Sequence, residues 1–166
     1  MNAKLGLLLL LTLSSSPARA DEDDDGDTPS WGRVQIVVLA TSRNHEGTLE
    51  EAKKAAAALG FAFSDRDLVY DDENGLRWPP DYDDDMWAGG YFPRRYDESC
   101  GNDRGATNGC ITVERSDSYP GLKPGYFIAV AGLLHGEEAR ERLAEVRHIA
   151  PDAYLAETKV YLGCLH

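Results

Sequence analysis

Two strand–helix–strand patterns stand at opposite ends of this chain, with no other amphipathic helix of similar length between them. The first opens with VQIVVLA (34–40), a β-branched run suited to a strand. After the loop TSRNHEG, Thr48-Leu49-Glu50-Glu51 reads as a capping box. The Thr48 hydroxyl can accept from the Glu51 amide while the Glu51 carboxylate reaches back. The helix this predicts runs to about Leu59, with Leu49, Ala52, Ala56 and Leu59 on one face and Glu50, Lys53 and Lys54 off it. Gly60 is placed to end it in a left-handed conformation. FAFSDRDLVYD (61–71) follows as a second strand region, interrupted near Asp65.

The far end repeats the pattern. A strand is predicted over 126–131, a turn at Gly132, and a helix over 137–148 with a buried stripe of Ala139, Leu143 and Val146. Glu138 and Arg142 form an i,i+4 pair on its outer face, and Pro151-Asp152 turns the chain into a last strand over 153–162. Each half, about 40 residues, is too small to stand alone, so the halves must share one core. The expected fold class is therefore α+β: a ferredoxin-like βαββαβ plan, a four-stranded antiparallel sheet with two helices on one face. The single domain spans 31–166 and holds a long insertion at about 72–124, rich in Gly, Pro, Asp and aromatic residues, with one strand at 110–114. So long a connection between halves is usually functional or mobile.

The compartment is read from the N-terminus. Lys4, the apolar run 5–13 and Ala18-Arg19-Ala20 have the three parts of a signal peptide over 1–20, too short in its apolar part to span a bilayer. A secreted or periplasmic protein beginning at Asp21 is expected, led by the acidic, disordered stretch 21–30. Losing Lys4 and Arg19 takes the net charge from −12 to −14. That charge argues against nucleic acid and against anionic membrane surfaces. Neutral glycans, cations and basic proteins remain as partners. Of three cysteines, Cys100 and Cys110 flank the flexible loop GNDRGATNG and are the favoured disulfide, with Cys110–Cys164 the alternative.

The second half, GYFIAVAGLLHGEEARERLAEVRHIAPDAYLAETKVYLG (125–163), resembles the SPOR (sporulation-related) repeat, a peptidoglycan-binding domain family. The resemblance lies in a strand ending Ala131-Gly132, the acidic turn Glu137-Glu138-Ala139, an amphipathic helix, and Pro151-Asp152-Ala153-Tyr154 leading into the last strand. Residues 34–63 look like its partner unit, so that the likeness covers about half the mature chain. It implies a ferredoxin-like fold and the binding of peptidoglycan glycan strands stripped of stem peptides. A sheet with helices on one face leaves the other for an extended polymer. In the last strand Leu155, Glu157, Lys159 and Tyr161 share the more polar face, which Gln35 of the first strand can join. These five are the glycan-binding candidates; solvated sheet positions are the plain alternative.

The insertion places Trp78, Tyr82, Trp87, Tyr91, Phe92 and Tyr96 within 19 residues among aspartates. Rings facing carboxylates suit sugars, which makes Trp78, Tyr82 and Trp87 secondary glycan candidates; a small satellite core explains them equally well. No cofactor and no metal site is predicted. Asp21-x-Asp23-x-Asp25-Gly26 imitates half a calcium loop, but Gly32 stands at the twelfth position where a Glu is needed. His45, His135, His148 and His166 show neither a zincin spacing nor a nucleophile elbow. A non-enzyme is expected. An acidic interaction module for a basic protein is the alternative function, and a carboxylate glycoside hydrolase the remotest.

Overall fold

The structure is a computed structural model that describes residues 31–65, 68–73, 75–83, 88–90 and 109–161, with Tyr161 described by its backbone alone. Residues 1–30, Trp87, Cys100 and Cys164 lie outside that set, and with them the expected leader, acidic lead-in and disulfide partners.

Among the described residues the chain is α+β, with two α-helices, a five-stranded mixed sheet and a separate two-stranded one. In chain order the elements are β1 (Trp31–Ser42), α1 (His45–Leu59), β2 (Ala62–Ser64), β3 (Val69–Asp71), β4 (Gly75–Arg77), β5 (Cys110–Arg115), β6 (Phe127–Leu134), α2 (Gly136–Arg147) and β7 (Tyr154–Tyr161). The large sheet runs β2-β5-β6-β1-β7, and β3 pairs with β4. Within it β7, β1, β6 and β5 are antiparallel neighbour to neighbour, whereas β2 joins β5 in parallel. The expectation of four antiparallel strands is thus corrected to five strands of mixed direction. The region 61–71 does break at Asp65, and its two pieces join different sheets. β5, from within the supposed insertion, lies between β6 and β2, so that Ala62–Ser64 sits at the edge of the sheet.

β1 is the central strand, and its apolar run has two destinations. Val37 and Leu39 join Ala52, Ala55 and Ala56 of α1, Val146 of α2, and Ile111, Val113, Ala129 and Ala131 of the sheet. Both helices therefore lie on one face, as expected. The alanine stripe of α1 lets helix and sheet approach closely. Val34, Ile36 and Val38 point the other way, to a second core with Ile128, Val130, Val160 and Tyr119. A strand buried on both faces reads as a continuous apolar run rather than an alternation.

The helix ends follow local chemistry. α1 starts one turn earlier than the capping box implies: Asn44 is the cap, its Oδ1 accepting from the Gly47 amide at 2.9 Å. Thr48 is fully buried and its hydroxyl donates back to the Asn44 carbonyl at 2.9 Å, so it serves the helix from inside. Gly60 ends α1 at φ 68°, as the sequence indicates. In α2 Ala139 and Val146 are buried and Leu143 packs beside them, but Arg142 does not face outward. Its Nη1 donates to the Ala131 carbonyl at 2.9 Å, its Nε lies 3.2 Å from Glu145, and its guanidinium sits over Phe61.

Candidate functional site

The face opposite the helices is not open. After β5, a short 3-10 turn (Ser116–Ser118) and the segment to Tyr126 fold back across it. Tyr119 is 1% exposed within the second core, with Leu122 beside it. The segment is fastened at several points. Thr158 donates to the Pro120 carbonyl at 3.0 Å, the Ser116 amide to the Tyr126 carbonyl at 2.9 Å, the Tyr126 amide to Ser116 Oγ at 3.0 Å, and the Gly125 amide to Asp117 at 3.1 Å. Beneath this side of the sheet Thr112 donates to the buried Glu114 carboxylate at 2.8 Å.

The predicted strip is real as a row but lies on the other side. Gln35 registers with Glu157, Arg33 with Lys159 and Trp31 with Tyr161. Leu155 packs into the helix-side core, while Ala156 and Val160 belong to the covered face. By strand alternation Leu155, Glu157 and Lys159 thus share the helices' side of the sheet. Glu157 and Lys159 are exposed. Gln35 is half-buried, and its Oε1 has no hydrogen-bond partner among the described residues. Alternation shows which rows are polar; it does not tell which side the helices take.

Trp78 and Tyr82 form a tilted pair with centroids 4.5 Å apart, and Trp78 is 9% exposed. The Trp78 amide donates to Gly90 at 2.8 Å, and the Tyr82 and Gly89 amides to Pro79 at 3.1 and 3.2 Å. Trp78 is thus enclosed, and Tyr82 half-buried, in a small cluster that knits the described part of the loop to itself. Asp71, which the sequence offers to a cation, holds Arg77 at 3.0 Å and accepts from the Glu73 amide. Among the described residues no group of three or more His, Cys, Asp and Glu side chains could hold a metal ion. Cys110 is buried at the start of β5.

A different constellation gathers where β1 ends, α1 begins and β6 begins. His45, the first residue of α1, stacks on Tyr70 of β3 at 4.7 Å and meets Phe127 of β6 edge-on at 5.1 Å; Tyr70 and Phe127 are 5.2 Å apart at 90°. This trio ties the β3–β4 hairpin to the main sheet. Adjoining it in sequence, Arg43 and Lys123 sit 5.2 and 5.6 Å from the centroid of Tyr126. Hydrogen bonding from Arg43 foremost, then from Lys123, and their positive charge hold the Tyr126 phenol below its ordinary pKa. Tyr154 of β7 shares a hydrogen bond with Thr41 at 3.2 Å. Tyr70 and Tyr154 remain 40% and 37% exposed. In an acidic chain, Arg43, Lys123 and Tyr126 are a local meeting of two cations with one tyrosine. Sequence patterns do not announce it, because its residues come from several loops and strand ends.

His45 supplies a pH test. Burial lowers its pKa from 6.5, against a smaller opposing effect of Glu46. The unfolded chain therefore binds this proton more readily, and stability should fall as pH drops below the unfolded value and through the folded one. Thermal unfolding of His45→Phe should lose that portion of the slope while the wild type keeps it. Parallel pH profiles would disprove the assignment.

Comparison with protein-family models, with curated proteins and with solved structures finds no match.

Proposed function

We propose that this chain is an exported, non-catalytic, SPOR-like module that binds peptidoglycan glycan strands, through the tyrosine–cation constellation rather than the sheet face opposite the helices. The fold part of the reading rests on the strand order β7-β1-β6-β5, the order and alternating direction of a ferredoxin-like sheet, with β2 added at one edge. The binding part rests on one observation: Tyr126 is flanked by Arg43 and Lys123.

The chemistry of the ligand explains why cations belong there. Removing a stem peptide by amide hydrolysis leaves a free carboxylate on the sugar that bore it. A stripped strand is then a polymer of apolar sugar faces with carboxylates at intervals. Rings suit the first and guanidinium or ammonium groups the second. The acidic remainder of the chain confines such a ligand to this patch.

The test is sedimentation of the protein with peptidoglycan sacculi, intact and amidase-treated. Binding should be stronger to treated sacculi and should weaken with salt, because charge pairing at an exposed site is screened. Replacing Arg43 and Lys123 together by Ala should cost about 1–2 kcal/mol, roughly tenfold in affinity. Lys159→Ala, on β7 opposite the start of β1, should bind as wild type does. Failure of the wild type to bind either preparation would reject the function, and full binding by the double variant would reject the site.

A further inference from the structure

We propose that the outer edge of β7 is a self-complementary pairing strand, through which two copies of this chain join their sheets about a two-fold axis at Thr158. β7 is the last strand of the large sheet, and among the described residues no strand pairs with its far side. It keeps eight consecutive partners on β1, Trp31–Tyr161 to Val38–Tyr154, with no register shift, and contains no proline. Natural edges are usually shortened, bulged or kinked. The opposite edge, β2, is three residues long; this one is long and regular.

The side chains on this edge are unfinished within the chain. Lys159 stands directly opposite Arg33 on β1, a like-charge pair, and Glu157 stands opposite Gln35. All of Arg33, Glu157 and Lys159 are exposed. A second β7 laid antiparallel beside the first supplies the missing partners. A two-fold axis normal to the sheet keeps both pairs of helices on one side, and requires each residue to face one of its own parity. Centred on Thr158, the register sets Glu157 against Lys159 of the other copy, twice by symmetry. It also sets Ala156 against Val160. Centred one residue either way, it sets Glu157 against Glu157 or Lys159 against Lys159. Charge thus selects one register of the three. Segment 116–124 does not take the edge strand's place, since it lies across the sheet face, where Pro120 accepts from Thr158.

The same logic makes the experiment a charge swap read by sedimentation velocity over a concentration series. The wild type should associate reversibly to a dimer. Glu157→Lys and Lys159→Glu should each dimerise at least about tenfold more weakly, because each now meets only like charge across the axis. Mixing the two variants should restore the dimer as a heterodimer, and the double swap E157K/K159E should restore the homodimer. Both side chains are exposed, and circular dichroism will confirm that the variants fold. Bulk charge predicts the opposite order for one of them: Glu157→Lys moves the net charge from −12 to −10 and should lessen repulsion. A monomeric wild type, unaltered dimerisation of the single variants, stronger association of Glu157→Lys, or no recovery on mixing would each overturn the proposal.

Discussion

Replacing Tyr119 with Ala is expected to lower stability by about 3–5 kcal/mol, the usual range for deleting a buried aromatic ring. Tyr119 heads the fully buried side chains by volume and is enclosed with Val34, Ile36, Val38, Ile128, Val130 and Val160. Its loss leaves a cavity and loosens the segment that covers the sheet. A domain of this size is stabilised by roughly 5–15 kcal/mol, so the variant should stand near the edge of folding. Urea unfolding followed by fluorescence would show the midpoint shift. Leu122→Ala, at a partly buried position of the same segment, should cost less. A change below about 1 kcal/mol for Tyr119→Ala would mean that the segment merely rests on the sheet, and the face would return as a binding surface.

That outcome bears on what was legible in the sequence. The two helices, the Gly60 cap and the β-branched strand 34–40 follow from local period and turn chemistry, which neighbouring residues determine among themselves. What failed depends on distant partners. Thr48 followed by Glu51 has the form of a capping box, yet Asn44 caps, because its amide is already held by Ser42 and its side chain reaches Gly47. Residues 61–71 look like one interrupted strand, but only Ala62–Ser64 enters the main sheet, beside a strand nearly 50 residues downstream. Alternation along β7 separates its polar row from its apolar row, but the polar row lies on the helices' side of the sheet. α2 rests on Val37 and Leu155 but leaves Glu157 and Lys159 exposed, and the second core takes Ala156 and Val160. The Arg43–Tyr126–Lys123 group joins a loop, a turn and a strand end, and no period links such positions.

The second large effect is expected from Gly109→Ala. Gly109 is buried with φ 75°, a region where a side chain costs roughly 1–2 kcal/mol. A methyl group there would lie 2.5 Å from Arg142 Nη1, 2.9 Å from its Cζ and 3.0 Å from Phe61 Cε2. An arginine at a surface would swing aside. Arg142 is held by the Ala131 carbonyl, by Glu145 and by the Phe61 ring, so moving it breaks the link between α2, β6 and the start of β2. Gly109 also accepts the Ala62 amide at 3.1 Å, which aligns β2 with β5. Overpacking of this kind adds about 1–3 kcal/mol, for a total of about 2–5. Gly60→Ala is the internal reference: its φ is 68° and nothing lies within 4 Å of the added methyl, so it should show only the conformational cost, about 1 kcal/mol. In an Arg142→Ala background the steric share at Gly109 should fall, leaving a loss near that of Gly60→Ala. Equal losses at Gly60 and Gly109 in the wild-type background would show that Arg142 yields freely, and that the clamp on α2 contributes little to holding the two halves together.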